Sequence, residues 1–151
     1  MTVSRFRQQA APGSDATVAL LRARGLRVTT SRVAVLEVLR EAAPTHEHLS
    51  AGAVEERVRA RLGNVSTQGV YDCLEALTGA ELVRRLEPAG HPALYESRVD
   101  NHHHLVCRSC GLVTDVDCVV GAAPCLHTTD TGGFVVDEAE VTFWGRCASC
   151  A

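Results

Sequence analysis

The apolar positions change period once along the chain. Up to about residue 80 they recur at helical spacing. Val33, Leu36 and Leu39 share one face, Val54, Val58 and Leu62 a second, and Val70, Leu74 and Leu77 a third. A polar residue able to cap a helix precedes each run. Asp15 can cap a helix running to Arg24, with Gly25 as its left-handed stop. Thr29 can cap a second through Arg40, Ser50 a third after Pro44 punctuates the chain, and Ser66 a fourth. Residues 1–14 are polar, end in Pro12-Gly13-Ser14, and read as a flexible tail.

From Leu82 onward the period shortens. Leu82–Glu87 and Ala93–Ser97 predict two strands about a turn at Pro88-Ala89-Gly90. Helices followed by one hairpin make a winged helix-turn-helix. The fourth helix would be the recognition helix and residues 82–97 the wing. Beyond residue 98 the pattern stays β-rich: His104–Cys107, Leu112–Val116, Phe134–Val136 and Ala139–Gly145 predict strands. Residues 117–133 predict a short helix and a loop, although Gly121 and Pro124 disfavour the helix. The fold class is α+β.

Composition narrows the function. A hydrophobic share of 46% excludes a wholly disordered chain. No segment has the apolar h-region of a secretory leader or the length of a membrane span, so a cytoplasmic protein without membrane attachment is expected. The net charge of −3 argues at first against a nucleic-acid partner. Its distribution reverses that reading. All basic residues are arginine; residues 1–98 hold 13 of them against 11 acidic residues, whereas residues 99–151 hold 2 against 7.

Seven cysteines, an odd number, fit a disulfide framework poorly and metal ligation well. Cys107-Arg-Ser-Cys110 and Cys147-Ala-Ser-Cys150 are two matched C-x-x-C knuckles, each presenting two thiolates from a tight turn. Four thiolates leave no open coordination position, so the expected Zn²⁺ is structural, one per chain. Redox C-x-x-C chemistry and chance pairing are the alternatives. A second cluster precedes the first knuckle. On an extended segment His102 and His104 face one way and His103 the other. With Glu96, Asp115 and His48 they could hold a divalent ion such as Fe(II), Mn(II), Ni(II) or Zn(II). His46, His91 and His127 read as surface residues. Cys73, Cys118 and Cys125 read as free structural thiols, with a Cys118–Cys125 redox disulfide as the alternative.

Over about residues 15–151 the chain resembles the ferric uptake regulator superfamily. Matching segments are Gly25-Leu26-Arg27-Val28-Thr29 with Arg32, His48-Leu49-Ser50-Ala51, and Asn64-Val65-Ser66 running into Val70-Tyr71. The metal-binding half matches through His102-His103-His104-Leu105-Val106-Cys107-Arg108-Ser109-Cys110-Gly111 and Gly145-Arg146-Cys147-Ala148-Ser149-Cys150. The resemblance implies a winged-helix domain over 15–97, a hinge over 98–101 and an α/β dimerisation domain over 102–151. It implies structural zinc at Cys107, Cys110, Cys147 and Cys150, and one regulatory Fe(II) or Mn(II) per chain at His48, Glu96, His102, His104 and Asp115.

It further implies a homodimer on a palindromic double-stranded operator. Ser66, Thr67, Gln68 and Tyr71 would face the groove, and Arg27, Arg32, Arg84 and Arg85 the phosphates. Asp115 looks like the family's peroxide-sensing branch, in which an iron-centred reaction oxidises a ligand histidine, here His48 or His102. Glu96 looks like the iron-responsive side. Ala139 and Asn101 stand where a further metal site would need histidines, so none is expected there. Thr30-Ser31, Gly69 and Asp72 also depart from the usual residues of the helical half. A zinc- or nickel-responsive regulator of the same fold is one rival. A metallohydrolase is another, but no H-E-x-x-H motif is present. A bare zinc-ribbon interaction module would leave the first 98 residues unexplained.

Overall fold

A computed structural model describes residues 12–117, 128 and 130–151. The chain runs α1 (Pro12–Ala23), α2 (Thr30–Ala42), a 3₁₀ turn (Ala43–Thr45), β1 (Leu49–Ser50), α3 (Ala51–Leu62), α4 (Thr67–Gly79), β2 (Arg84–Leu86), β3 (Leu94–Glu96), β4 (His103–Cys107), β5 (Val113–Val116) and β6 (Thr142–Gly145). It is an α+β fold, a winged helix followed by a small sheet that carries the cysteines.

Three of the four expected caps are in place. Thr29 accepts from the Arg32 amide at 3.2 Å, Ser50 from Ala53 at 3.2 Å and Ser66 from Gly69 at 3.0 Å. Each oxygen satisfies an amide that the helix itself leaves without a partner. Helix α1 begins earlier than expected, at Pro12, so Asp15 sits in its first turn rather than at its cap. Pro is well suited to the first turn, where its missing N–H costs nothing. Gly25, at φ +70°, ends the helix, and the Leu26 amide closes back on the Leu21 carbonyl.

Gly69 has a local reason. A Cβ there would lie 2.9 Å from Ser66 Oγ, the atom that caps the helix. The glycine weakens α4 by about 1 kcal/mol in propensity yet leaves the cap undisturbed.

Helix α2 is the centre of the helical half. Val35, Leu36, Val38 and Leu39 are buried against Leu21 of α1, Val54 and Val58 of α3, and Val70, Leu74 and Leu77 of α4. Cys73 is buried in the same core, and burial pushes its thiol pKa up. Tyr95 of β3 closes the core from the wing side.

The strands differ from expectation in informative ways. Strand β1 has two residues and was not anticipated; it pairs antiparallel with β3 in the order β1-β3-β2, Leu49 opposite Tyr95. The second sheet has the order β5-β4-β6, with β4 antiparallel to β5 and parallel to β6. Phe134–Val136 forms no strand. Gly132 and Gly133 take positive φ, the Phe134 amide turns back onto the Thr131 carbonyl, and Phe134 and Val135 are 79% and 96% exposed. The strand expected over Ala139–Gly145 shortens to Thr142–Gly145. The tail to residue 11 lies outside the described residues, as do Cys118, Cys125 and His127 and most of the helix and loop expected over 117–133.

Candidate metal centres and nucleic-acid interface

Two ladders build the histidine cluster. In the β1–β3 register Leu49 lies opposite Tyr95, so the next step sets His48 beside Glu96, with Nε2 to Oε2 at 3.3 Å. In the β4–β5 register His104 lies opposite Asp115. Helix-turn-helix and wing thus supply His48 and Glu96, and the second sheet supplies His104 and Asp115. His102 enters from the segment just before β4. One donor atom from each of these five residues lies within 4.8 Å of the others.

The cluster is buried: His102 and His104 are at most 1% exposed, and Glu96 4%. His102 Nε2 reaches Glu96 Oε1 at 3.1 Å, His104 Nε2 the same oxygen at 3.3 Å, and His48 Nε2 reaches Asp115 Oδ1 at 2.9 Å. His48 Nε2, His104 Nε2, Glu96 Oε1 and Asp115 Oδ1 are nevertheless without well-directed hydrogen bonds. Buried donors that converge without satisfying one another are an unfavourable arrangement unless something sits among them. Three imidazoles and two carboxylates fit a borderline divalent cation.

The far ring nitrogens are already assigned. His102 Nδ1 donates to the Asp100 carbonyl at 2.8 Å and His104 Nδ1 to Glu140 Oε1 at 3.0 Å, which turns both Nε2 atoms inward.

Electrostatics among the side chains of the cluster agree. Burial opposes ionisation of Glu96, but the His102 hydrogen bond and the close His104 and His48 imidazoles outweigh it and hold the carboxyl well below the usual range. Burial likewise lowers His48 and His102, and the neighbouring Glu96 more than compensates, so both imidazole pKa values are raised. His103 points away from the cluster, and its Nδ1 accepts from the Val141 amide at 3.0 Å.

The four knuckle thiols gather within 4.8 Å of one another, Cys110 Sγ to Cys147 Sγ at 3.8 Å. A tetrahedral ion with Zn–S of about 2.3 Å needs sulfurs about 3.8 Å apart. Backbone amides of Cys110 and Cys147 lower Cys107 to about 6, while the Cys147 and Cys110 thiols beside it push Cys150 up to about 12. Four thiolates this close cannot all ionise without a cation. Gly111 completes the first knuckle at φ +75°, and a Cβ there would strike the His91 ring at 2.5 Å. His91, expected as a surface residue, therefore packs its ring from the wing turn against the knuckle.

The expected DNA contacts divide into two groups. Arg27 is exposed, Tyr71 is 49% exposed, and the Arg85 side chain is 51% exposed while pairing with the exposed Glu87 at 2.6 Å. The others are occupied. Ser66 caps α4, Thr67 donates to Glu55 at 2.8 Å and Gln68 to Asp72 at 2.8 Å, so Asp72 is engaged within its own helix. Arg32 Nη1 donates to the Arg27 carbonyl at 2.6 Å. Arg84, expected at phosphate, is engaged within the chain. Its side chain is 16% exposed and pairs with Glu138 at 2.7 Å, and its Nη2 also reaches the carbonyls of Val99 and Asp100. It joins the wing to the second half of the chain. Asn101, oriented to donate, meets Glu138 and the Ala139 carbonyl. Among the described residues, only these two clusters of potential ligands gather.

A winged helix whose last strands carry a mixed histidine–carboxylate cluster beside a four-thiolate knuckle defines a metalloregulator architecture. The sequence profile of the Ferric uptake regulator family matches residues 23–134. A transcriptional regulator FurA of Mycobacterium tuberculosis is 55% identical over 132 residues, covering 87% of each chain. A solved ferric uptake regulator from Pseudomonas aeruginosa with manganese is 26% identical, with a TM-score of 0.65 over 87% of this chain and 98% of that one. A peroxide-responsive repressor PerR of Staphylococcus epidermidis is 26% identical over 141 residues, 90% of this chain and 89% of its own. The chain belongs to the ferric uptake regulator family, and is a transcriptional regulator, not an enzyme. No helix among the described residues is long and apolar enough to cross a membrane.

Proposed function

We propose that this chain is a metal-dependent repressor that binds a palindromic operator as a homodimer. The observation that carries the reading is the five-donor cluster, because its ligands come from both halves of the chain. His48, Glu96, His102, His104 and Asp115 would hold the regulatory ion, and Cys107, Cys110, Cys147 and Cys150 the structural zinc. A bound divalent ion supplies positive charge that lets two buried carboxylates coexist and binds the two halves together. The chain's own residues do the rest. Glu96 ties the wing to His102 and His104, Asp115 ties the second sheet to His48, and Asp100 and Glu140 aim the rings. Closing this junction fixes where α4 and the wing stand, which biases the population towards a DNA-competent form. Arg27, Tyr71 and Arg85 then face outward as the DNA contacts.

The dimer has a matching surface. Leu105 and Phe143 are neighbours across the β4–β6 ladder and are 45% and 48% exposed, with Leu112 beside the knuckle at 55%. An apolar face of this kind on a small sheet suits burial against a second copy.

The finer reading is peroxide responsiveness with Fe(II) as the regulatory ion. Asp115 supports it, since an aspartate at this position resembles the peroxide-sensing branch of the family. Iron would supply the redox chemistry, and one oxygen atom would be added to His48 or His102. Iron response without peroxide sensing is the second reading, favoured by Glu96 and by the similarity to a FurA.

Operator binding measured without added metal, with Mn(II) and with Fe(II), before and after a low dose of peroxide, tests all of this. The expected result is metal-dependent binding, lost after peroxide only in the Fe(II) form, with a 16 Da gain on a peptide containing His48 or His102. Metal-independent binding would overturn the repressor mechanism. Peroxide inactivation of both metal forms alike, with oxidised cysteine as the lesion, would overturn the histidine chemistry alone.

A further inference from the structure

The two oxygens of Asp115 have different surroundings. Oδ1 faces the cluster, 2.9 Å from His48 Nε2, 3.5 Å from His102 Nε2 and 3.7 Å from His104 Nε2. Oδ2 is turned outward and already engaged: His46 Nδ1 donates to it at 3.0 Å and Arg98 Nη1 lies 3.5 Å away. We infer that His46, backed by Arg98, is a positioning residue that restricts Asp115 to a single donor oxygen and so limits how many ligands the chain can offer the regulatory ion.

The local structure is built for this. His46 follows the 3₁₀ turn in the left-handed region, at φ 55° and ψ 31°, its amide closing onto the Ala43 carbonyl. Few residues other than glycine adopt this conformation without a reason, and histidine is among those that do. Two residues later the chain reaches His48, so one short segment contacts both oxygens of one carboxylate that arrives from the second sheet.

Arg98 is held just as firmly. Its Nε and Nη2 grip the two Asp100 oxygens at 2.9 and 3.0 Å, and Nη2 also reaches Asp117 at 2.6 Å. The carbonyl of that same Asp100 orients His102. One guanidinium therefore connects the segment that aims one ligand with the carboxylate that is another.

A carboxylate with both oxygens free can chelate through both; one with Oδ2 hydrogen-bonded offers only Oδ1. Large, high-coordination cations profit from the first arrangement, and smaller ions content with fewer ligands lose less in the second. His46 would thereby tune the choice of metal and the room left for an exogenous ligand, without touching the ion.

This inference rests on the proposed regulatory site, and the test separates the two. Zinc-loaded full-length protein is titrated with Co(II) and with Mn(II), using wild type, His46→Ala, His46→Gln and a His102→Ala control. Visible Co(II) bands weaken as coordination number rises, and thiolate charge-transfer bands report any Co(II) at the cysteines. The expected result is that His46→Ala weakens the Co(II) bands, because a second carboxylate oxygen raises the coordination number, and shifts the ratio of Mn(II) to Co(II) affinity towards Mn(II) by roughly tenfold, the scale on which an outer partner of a ligand acts. Zinc content and melting temperature stay at the wild-type values. His46→Gln, which keeps a donor, restores the spectrum. If wild type and His102→Ala bind Co(II) alike, the regulatory site itself is wrong. If the site binds but His46→Ala leaves the bands unchanged, only the positioning role fails. If His46→Gln behaves like His46→Ala, His46 is not acting through a hydrogen bond to Asp115, and the inference is overturned.

Discussion

The two halves of this chain are held together by different physics. The helical half buries a continuous apolar set from Leu21 through Val35, Leu36, Leu39, Val54, Val58, Leu74 and Leu77 to Tyr95. In the second half, the described residues bury only Val106, Cys107 and Val113 as hydrophobic core, beside three histidines, while Leu105, Phe143, Phe134 and Val135 face outward. Burying a side chain such as Leu contributes about 1.5–3 kcal/mol, so the first half can fold on hydrophobic burial. The described residues of the second half bury too little for that, and under the proposed function its ligand sets and the dimer contact supply the rest. Under the proposed function a regulator gains from this division: the DNA-reading part stays folded, and its orientation is left to a junction that would respond to metal.

The strongest break of the comparison is loss of the thiolate site. Cys107→Ser or Cys150→Ser should release one zinc per chain and abolish the dimer, while most helical circular dichroism survives. Structural zinc is worth on the order of 10 kcal/mol, comparable with the whole stability of a domain. A variant that sediments and melts like wild type would show that the second half has another source of stability.

The converse lesion is Leu74→Ala, which should cost about 2–5 kcal/mol and lower the melting temperature of the helical half without changing zinc content. Chemical denaturation followed by circular dichroism, with zinc analysis of the same samples, checks it. Zinc loss in parallel with unfolding of the helices would mean that the halves are one cooperative unit.

A third prediction concerns pH at the junction. Glu96 ionises more easily folded than unfolded, so its contribution is present above its unfolded pKa of about 4.3 and is lost as pH falls further. His48 and His102 are raised, so theirs is complete below about pH 6.5 and fades as pH rises through their folded values. The metal-free junction is therefore most stable between these limits. Metal must displace the imidazole protons, so Mn(II) affinity should climb from about pH 6 to about pH 8, by up to tenfold per unit for each proton released. Calorimetry in buffers of different ionisation enthalpy counts those protons; an affinity independent of pH would mean that the histidines are not ligands.

The smallest expected effect is Ser66→Ala, which removes the α4 cap and should cost about 1 kcal/mol. A double change, Ser66→Ala with Gly69→Ala, should cost less than the two singles combined, because the Cβ at residue 69 clashes with the Ser66 oxygen. Strict additivity in denaturant melts would contradict that account of the glycine.

What could be read from the chain were features set by spacing between near neighbours. Thr29, Ser50 and Ser66 cap helices because each precedes a run of helical period. His102 and His104 share a side because strands alternate, and each C-x-x-C turn brings its two thiols together. His48, Glu96 and Asp115 are candidates by residue type alone, and only the motif resemblance assigns all five to one ion, since no local rule joins these three to the comb.

Other features depend on distant partners. Strand β1 is two residues long and exists because β3 is there to pair with it. His46 reads as a surface histidine and is one, its side chain 51% exposed, but nothing nearby in sequence shows that Asp115, 69 residues on, lies against its ring. Arg84 reads as a phosphate contact, and nothing near it in sequence shows Glu138 and the Val99 and Asp100 carbonyls around it. Phe134–Val136 had the composition of a strand, and the turn through Gly132 and Gly133 carried it out to solvent. Local spacing along the chain determined which elements form and which residues can ligate. Tertiary structure alone decided which oxygen, ring nitrogen or guanidinium each of them meets, because those contacts come from side chains far apart in the sequence.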